Sequence, residues 1–176
     1  MSFARVRALV VVGALTVLAL VFIVVALVRD TQSSDKAPGA CQNGEVRANI
    51  ALPEPQNVKI AVYNATKTQG LADSVATNFG NRKFKVVKTA VDKKGIEGVA
   101  VLRYGPQAVG AAHLMRAYFL DNARTEYNPQ RKDDVVDVVI GPKFQQLATS
   151  TEVNQSLTEL GSPPLPPGAC AANAKR

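Results

Sequence analysis

Histidine is almost missing from this sequence: His113 is the single one among 176 residues, and cysteine is limited to Cys41 and Cys170. A zinc centre takes about four closely placed N, S or O ligands, and two cysteines with one distant histidine do not supply them. The same scarcity removes Cys-His and Ser-His-Asp chemistry, and no carboxylate pair in a glycine-rich setting stands in for it. The Gly-x4-Gly-Lys-Ser/Thr phosphate loop is also missing. No metal, no cofactor and no catalytic centre are therefore expected. Dense basic clusters are lacking as well. The formal charge is +7, from 21 Lys+Arg against 14 Asp+Glu. Setting aside Arg5, Arg7 and Arg29, which flank an apolar run, leaves 18 against 14. Dispersed cations of this kind do not suggest nucleic acid. The mild excess favours anionic neighbours such as polymer phosphates or lipid headgroups.

Charge is wholly absent from residues 8–28, ALVVVGALTVLALVFIVVALV, where Thr16 is the one polar side chain. A helix of that length rises about 31 Å, enough for a hydrocarbon core of roughly 30 Å. It shows no polar stripe of the kind a soluble amphipathic helix carries. Thr16 can bond back to a carbonyl one turn earlier. Arg5 and Arg7 precede the run, so the tail 1–7 is expected in the cytoplasm and everything after the span outside it. A cleaved signal peptide fits less well: its apolar region is about 7–15 residues long, and Ala26-Leu27-Val28 is a poor cleavage site. A lipoprotein at Cys41 fits less well still, being a dozen residues past the apolar run.

Two cysteines in an oxidising compartment read as one disulfide, Cys41–Cys170, stapling the entrance and exit of a single domain. Free thiols or intermolecular pairing are the alternatives. Each cysteine ends the same run, Pro-Gly-Ala-Cys.

Residues 29–56 read as a linker, polar and rich in Pro and Gly, with a short edge strand within 45–52. Val58 to Tyr63 alternates as a half-buried strand. A polar loop, Asn64 to Gln69, leads to a helix opened by Gly70, with Leu71, Ala72, Val75, Ala76 and Phe79 on one stripe and Gly80-Asn81 as its αL-tolerant end. Strands follow at 84–89 and 99–104. Pro106 then starts a second helix whose face is Ala108, Ala112, Met115 and Phe119. His113 lies about 140° from Ala108 on the helical wheel and reads as a surface residue. A strand at 135–140 and a short helix at 151–160 complete the pattern, before a Pro-rich tail. The fold class expected is α+β, a split βαβ plan (β-α-β-β-α-β) with one sheet, both helices on one face, and one transmembrane helix in front. The domain would run from 57 to 146, with the C-terminal helix and tail over 147–176. The other sheet face, with Lys59, Tyr63 and Lys85, would be open or covered by the terminal segments.

The best candidate for binding is the strand-to-helix loop: Asn64, Thr66, Lys67 and Gly70, where backbone N–H groups and a lysine would meet an anion or a carbohydrate. The bland reading is that Asn64 and Thr66 bond locally while Thr68 or Gln69 caps the helix. Arg103 and Tyr104, at a strand end, are added as candidates for the same site. Asp133, Asp134 and Asp137, with Glu126 near, lack calcium-loop spacing and read as solvated. The basic run Arg82, Lys83, Lys85, Lys88, Lys93, Lys94 would project its lysines to one side of a hairpin, solvated or against a polyanion.

VKIAVYNAT, QGLADSVATNF with FKVV, VLRYGPQAVGAAHLMRAYF and VVDVVIG together resemble the LytR C-terminal domain family over about 58–144. The matching residues are Asn64, Thr66, Gly70-Leu71-Ala72, Tyr104, Ala111-Ala112 and Gly141. The family's catalytic neighbour, the LytR-CpsA-Psr phosphotransferase domain, finds no place in this sequence. The resemblance is to single-span envelope proteins of the VirR type that carry the domain alone. It implies a membrane-anchored, non-catalytic module of the cell envelope whose partners are a cell-wall polymer, peptidoglycan or glycopolymer, or LytR-CpsA-Psr-type ligases. The alternative is an enzyme, a hydrolase or transferase of envelope glycopolymer.

Overall fold

The structure, a computed structural model, describes residues 12, 13, 15–22, 41 and 44–172. The chain divides into two units, Met1–Ala37 and Pro38–Arg176. In the first, residues 12, 13 and 15–22 are helical, and Thr16 Oγ1 donates to the Val12 carbonyl at 2.8 Å. The remainder of the span expected at 8–28, the tail 1–7 and residues 29–40 lie outside the described residues. Among the described residues no helix is long and apolar enough to cross a membrane.

The second unit is a mixed α+β domain. Its strands are β1 (Val46–Ala48), β2 (Lys59–Asn64), β3 (Lys85–Val91), β4 (Ala100–Tyr104), β5 (Ala123–Tyr127), β6 (Val135–Ile140) and β7 (Ala169–Ala171). Its helices are α1 (Leu71–Asn81), α2 (Val109–Tyr118) and α3 (Ser150–Leu160). Five strands form one sheet in the order β3-β2-β6-β4-β5. β3, β2 and β6 are mutually parallel neighbours, β4 runs antiparallel to β6, and β5 runs parallel to β4.

This order corrects the split βαβ expectation. β2 and β3 pair directly, with no strand between them. The burial of the strands explains the placement. β2 and β6 are apolar enough to be covered on both neighbouring edges, whereas β3 carries Lys85 and Lys88 and is exposed along most of its length. Lysine-bearing strands belong at sheet edges, so α1 returns the chain to the outside of β2. β3 does not pair with β4, and the hairpin expected for the lysines does not form. β5, Ala-Arg-Thr-Glu-Tyr, was not anticipated, because a charged edge strand lacks the apolar alternation that marks a strand.

Both helices lie on one sheet face. Val58, Ile60, Val62, Leu102, Val136 and Val138 pack in one cluster with Val75 and Phe79 of α1 and Met115 of α2. Phe79 anchors it: its ring meets Phe84 edge-on at 5.2 Å and lies 5.8 Å from Tyr118 and 6.3 Å from Phe119. Such aromatic pairs contribute about 0.5–1.5 kcal/mol each beyond the area they bury. The left-handed residue after α1 is Lys83, with φ +71°, in place of the expected Gly80-Asn81. Thr149 and Glu152 form a reciprocal capping box at the start of α3, which the sequence reading passed over.

The terminal segments pack on the helix layer. β1 and β7 form a separate parallel pair, joined by the Cys41–Cys170 disulfide, whose Cα atoms are 5.5 Å apart. Asn49 N–H donates to the Pro106 carbonyl and Gly110 N–H to the Asn49 carbonyl. α2 is covered from both sides as a result, and Arg116 is its one residue that is not buried. His113 therefore corrects the surface reading: it is 3% exposed, and its Nε2 donates to the Gly161 carbonyl at 2.9 Å. Nδ1 is buried without a partner. Burial pushes its pKa below the ordinary value, helped by Arg116 and opposed by the Gly161 bond and by Asp121. The neutral form is the one the fold accepts. Stability from this site is full above about pH 6.5 and is lost as pH falls through the lowered pKa. Thermal midpoints measured downward from pH 7 should fall in the parent and fall less in His113→Gln.

Candidate functional site

The sheet's parallel strands β2 and β6 end side by side, with Asn64 in register with Ile140. The carboxyl ends of parallel strands are where open sheets place ligands. The loop 65–70 leaves β2 here, and the chain leaves β6 through Gly141-Pro142.

The loop is held by its own side chains. Asn64 is buried. Its Nδ2 donates to the Thr68 carbonyl at 2.6 Å, and its Oδ1 accepts from Thr66 N–H at 2.9 Å and Thr66 Oγ1 at 2.8 Å. Thr66 Oγ1 accepts in turn from Thr68 N–H at 3.1 Å. Ala65 N–H reaches across to the Ile140 carbonyl, tying the loop to β6. This is Asx-turn chemistry, in which a short side chain replaces a backbone partner. The local bonding expected of Asn64 and Thr66 is present. The expected cap by Thr68 or Gln69 is not: Gly70 is the N-cap of α1, at φ +71°, and no side chain caps the helix. Glycine reaches that φ without the cost a side chain meets.

Lys67 is exposed at the loop tip. Ala65, Thr66, Lys67 and Thr68 form one wall of an open groove of about 590 Å³, and Leu71, Gly141, Pro142 and Phe144 complete it. The groove offers a lysine and loop backbone on one side and apolar surface on the other. Gly141 is required at its base. A Cβ there would stand 2.4 Å from the Gly98 carbonyl oxygen and 3.0 Å from Ile96.

Arg103 and Tyr104 are not part of this groove. Ala100 is the residue of β4 level with Asn64, across Ile140. Arg103 sits three residues further along, opposite Asp137. On the sheet face away from the helices it pairs with Asp92 at 2.6 Å and Glu126 at 2.9 Å. Burial pushes the Asp92 carboxyl up, but the bonds from Arg103 and the Lys94 amide outweigh it and hold the pKa below the ordinary value. The pair tethers Asp92, where the chain leaves β3, to β4, while Lys59 and Tyr63 on that face stay partly exposed and Lys85 exposed. Tyr104 lies beside Tyr127, rings 5.8 Å apart, and packs against the core. The acidic group is solvated as expected, with Asp133 and Asp134 exposed, and it is paired as well. Arg131 holds Asp133 at 2.6 Å and Asp137 at 2.8 Å, and Lys59 holds Asp134 at 2.9 Å. Among the described residues no group of His, Cys, Asp and Glu could hold a metal ion.

The sequence reading missed the second wall of the groove. Its signal was the Gly141-Pro142 break after an apolar strand, which marks a strand's carboxyl end.

The family model described as LytR cell envelope-related transcriptional attenuator (LytR_C) matches residues 57–144, half of the chain. Among solved structures, the soluble domain of a conserved hypothetical secreted protein from Mycobacterium marinum is similar, at 23% identity and a TM-score of 0.49. The match covers 68% of this chain and 82% of that one. No curated protein matches.

Proposed function

This chain belongs to the LytR_C family, and we propose that it is a non-catalytic binding module of the cell envelope, anchored by residues 8–28 and exported beyond them. Its groove at the carboxyl ends of β2 and β6 takes a wall component, a peptidoglycan or glycopolymer segment. The observation that carries this reading is the groove itself. The Asn64–Thr66–Thr68 bonds fix the loop in advance, so little conformational entropy is lost on binding. Lys67 lines it together with apolar Pro142, Leu71 and Phe144, a combination suited to a sugar chain with anionic substituents. The family's envelope-related description supports the setting. The uncharged run around the exposed apolar side chains Leu15 and Phe22 supports the anchor.

The test is co-sedimentation of the full-length chain with purified sacculi, at low and high salt. Lys67→Glu should weaken retention, with the largest loss at low salt, because an exposed charge is screened. Its thermal midpoint should stay nearly unchanged, since exposed charges contribute about 0–1 kcal/mol. Full retention by folded Lys67→Glu and folded Asn64→Ala would leave the loop with a structural role only. Retention of a LytR-CpsA-Psr-type ligase in place of sacculi would make the module a protein scaffold.

A further inference from the structure

The outer edge of β3 carries the strongest unanswered charge in the domain. β3 borders the sheet and pairs with β2 alone. The carboxylates Asp92, Glu126, Asp133, Asp134 and Asp137 all have cationic partners. By contrast Lys83, Lys85 and Lys93, on and beside β3, make no ion pair among the described residues, Lys94 acts on Asp92 only at longer range, and Lys88 meets only the Tyr63 ring, at 5.6 Å. Between these lysines stand two apolar side chains that a soluble edge normally hides, Val87 at 53% and Val91 at 68% exposure. β3 is also the sheet's longest strand, with seven residues.

We infer that β3 is a docking edge for an acidic extended peptide, which adds to the sheet as a sixth strand. An unpaired strand edge presents backbone N–H and C=O groups, and strand addition supplies their partners while side-chain pockets and charges set specificity. Self-pairing is disfavoured by the same lysines, since registers that set two of them directly opposite are destabilised. β3 is bulged at Val87, which sets Lys85 and Lys88 on the face of Lys59 and Ala61, and Val91 on the other. A strand alternating acidic and apolar residues meets both, carboxylates on the lysine face and apolar side chains against Val91. This surface lies on the opposite side of β2 from β6, whose end builds the groove, and does not depend on the groove's ligand.

Fluorescence anisotropy on the full-length chain tests it. The probe is a labelled peptide alternating glutamate and valine. Its control has the same sequence N-methylated at alternate amides, which keeps every charge and removes backbone donors. The first peptide should bind, the control about tenfold or more weaker, and β3 amides should gain protection from hydrogen exchange with the first peptide alone. Lys85→Glu with Lys88→Glu, two exposed positions, should abolish binding while leaving the circular dichroism spectrum unchanged. Equal binding of both peptides, competition by inorganic polyphosphate at matched charge, or no binding of the first peptide each overturns the proposal.

Discussion

Gly110→Val should unfold the domain at temperatures the parent withstands. Gly110 lies in the first turn of α2, where the segment leaving β1 crosses the helix. A Cβ at this position would stand 1.9 Å from the Ala51 carbonyl oxygen and 2.7 Å from the Ala51 carbonyl carbon. Both are backbone atoms, and the crossing is fixed by Gly110 N–H donating to the Asn49 carbonyl at 2.9 Å. No rotamer relieves such a contact, so the segment or the helix must move. Overpacking of this kind costs about 1–3 kcal/mol and occasionally more, and valine adds two further methyl groups. At roughly 3 °C per kcal/mol for a chain of this size, the midpoint should fall by about 10 °C. Gly80→Ala is the matched comparison. Gly80 sits inside α1 with nothing within 4 Å of its added Cβ. There alanine should stabilise by about 0.5–1 kcal/mol through helix propensity alone. Differential scanning calorimetry of both variants separates the two effects. A Gly110→Val midpoint equal to the parent's would mean that the β1 segment does not cross α2 as described.

Loss of the disulfide is the second large effect. Cys41 and Cys170 are 129 residues apart in sequence, so the bond closes almost the whole domain into one loop. On the chain-entropy model a loop of that size stabilises by up to about 5 kcal/mol. The local consequence is sharper. β1 and β7 make a two-stranded pair of three residues each, and a pair so short is marginal without support. In Cys170→Ser, or after reduction, the amides of Val46 and Ala172, which donate to the Gly168 and Ala48 carbonyls, should lose hydrogen-exchange protection first, while Val62 and Val138 in the five-stranded sheet keep theirs. The midpoint should drop in step. Thiol blocking followed by reducing and non-reducing gels should find two protected thiols within one monomer. Unchanged protection of β1 after reduction would assign the clasp to packing on α2 alone.

The Asn64–Thr66 bonding of the loop was legible because both side chains act over a few residues, replacing backbone partners; the uncapped start of α1 at Gly70, with its positive φ, was not. The groove the loop lines was only half legible. Pro142 and Phe144 reach it through the parallel pairing of β2 with β6, which joins residues 76 apart in sequence (Lys59 with Val135) and leaves no local trace. Arg103 shows the same gap in reverse. Its chemistry invited a binding role, and a partner eleven positions upstream, Asp92, occupies it.

The sequence by itself determined the α+β class, the two main helices and four strands of the sheet, the cysteine pair and the loop chemistry, because apolar periodicity and turn residues act within one element. Tertiary structure alone decided the strand order, the edge positions of β3 and β5, and the burial of His113. Those depend on which element covers which. α2 has an apolar stripe that predicts one buried face, and it became buried on its other side only when the stapled termini packed across it.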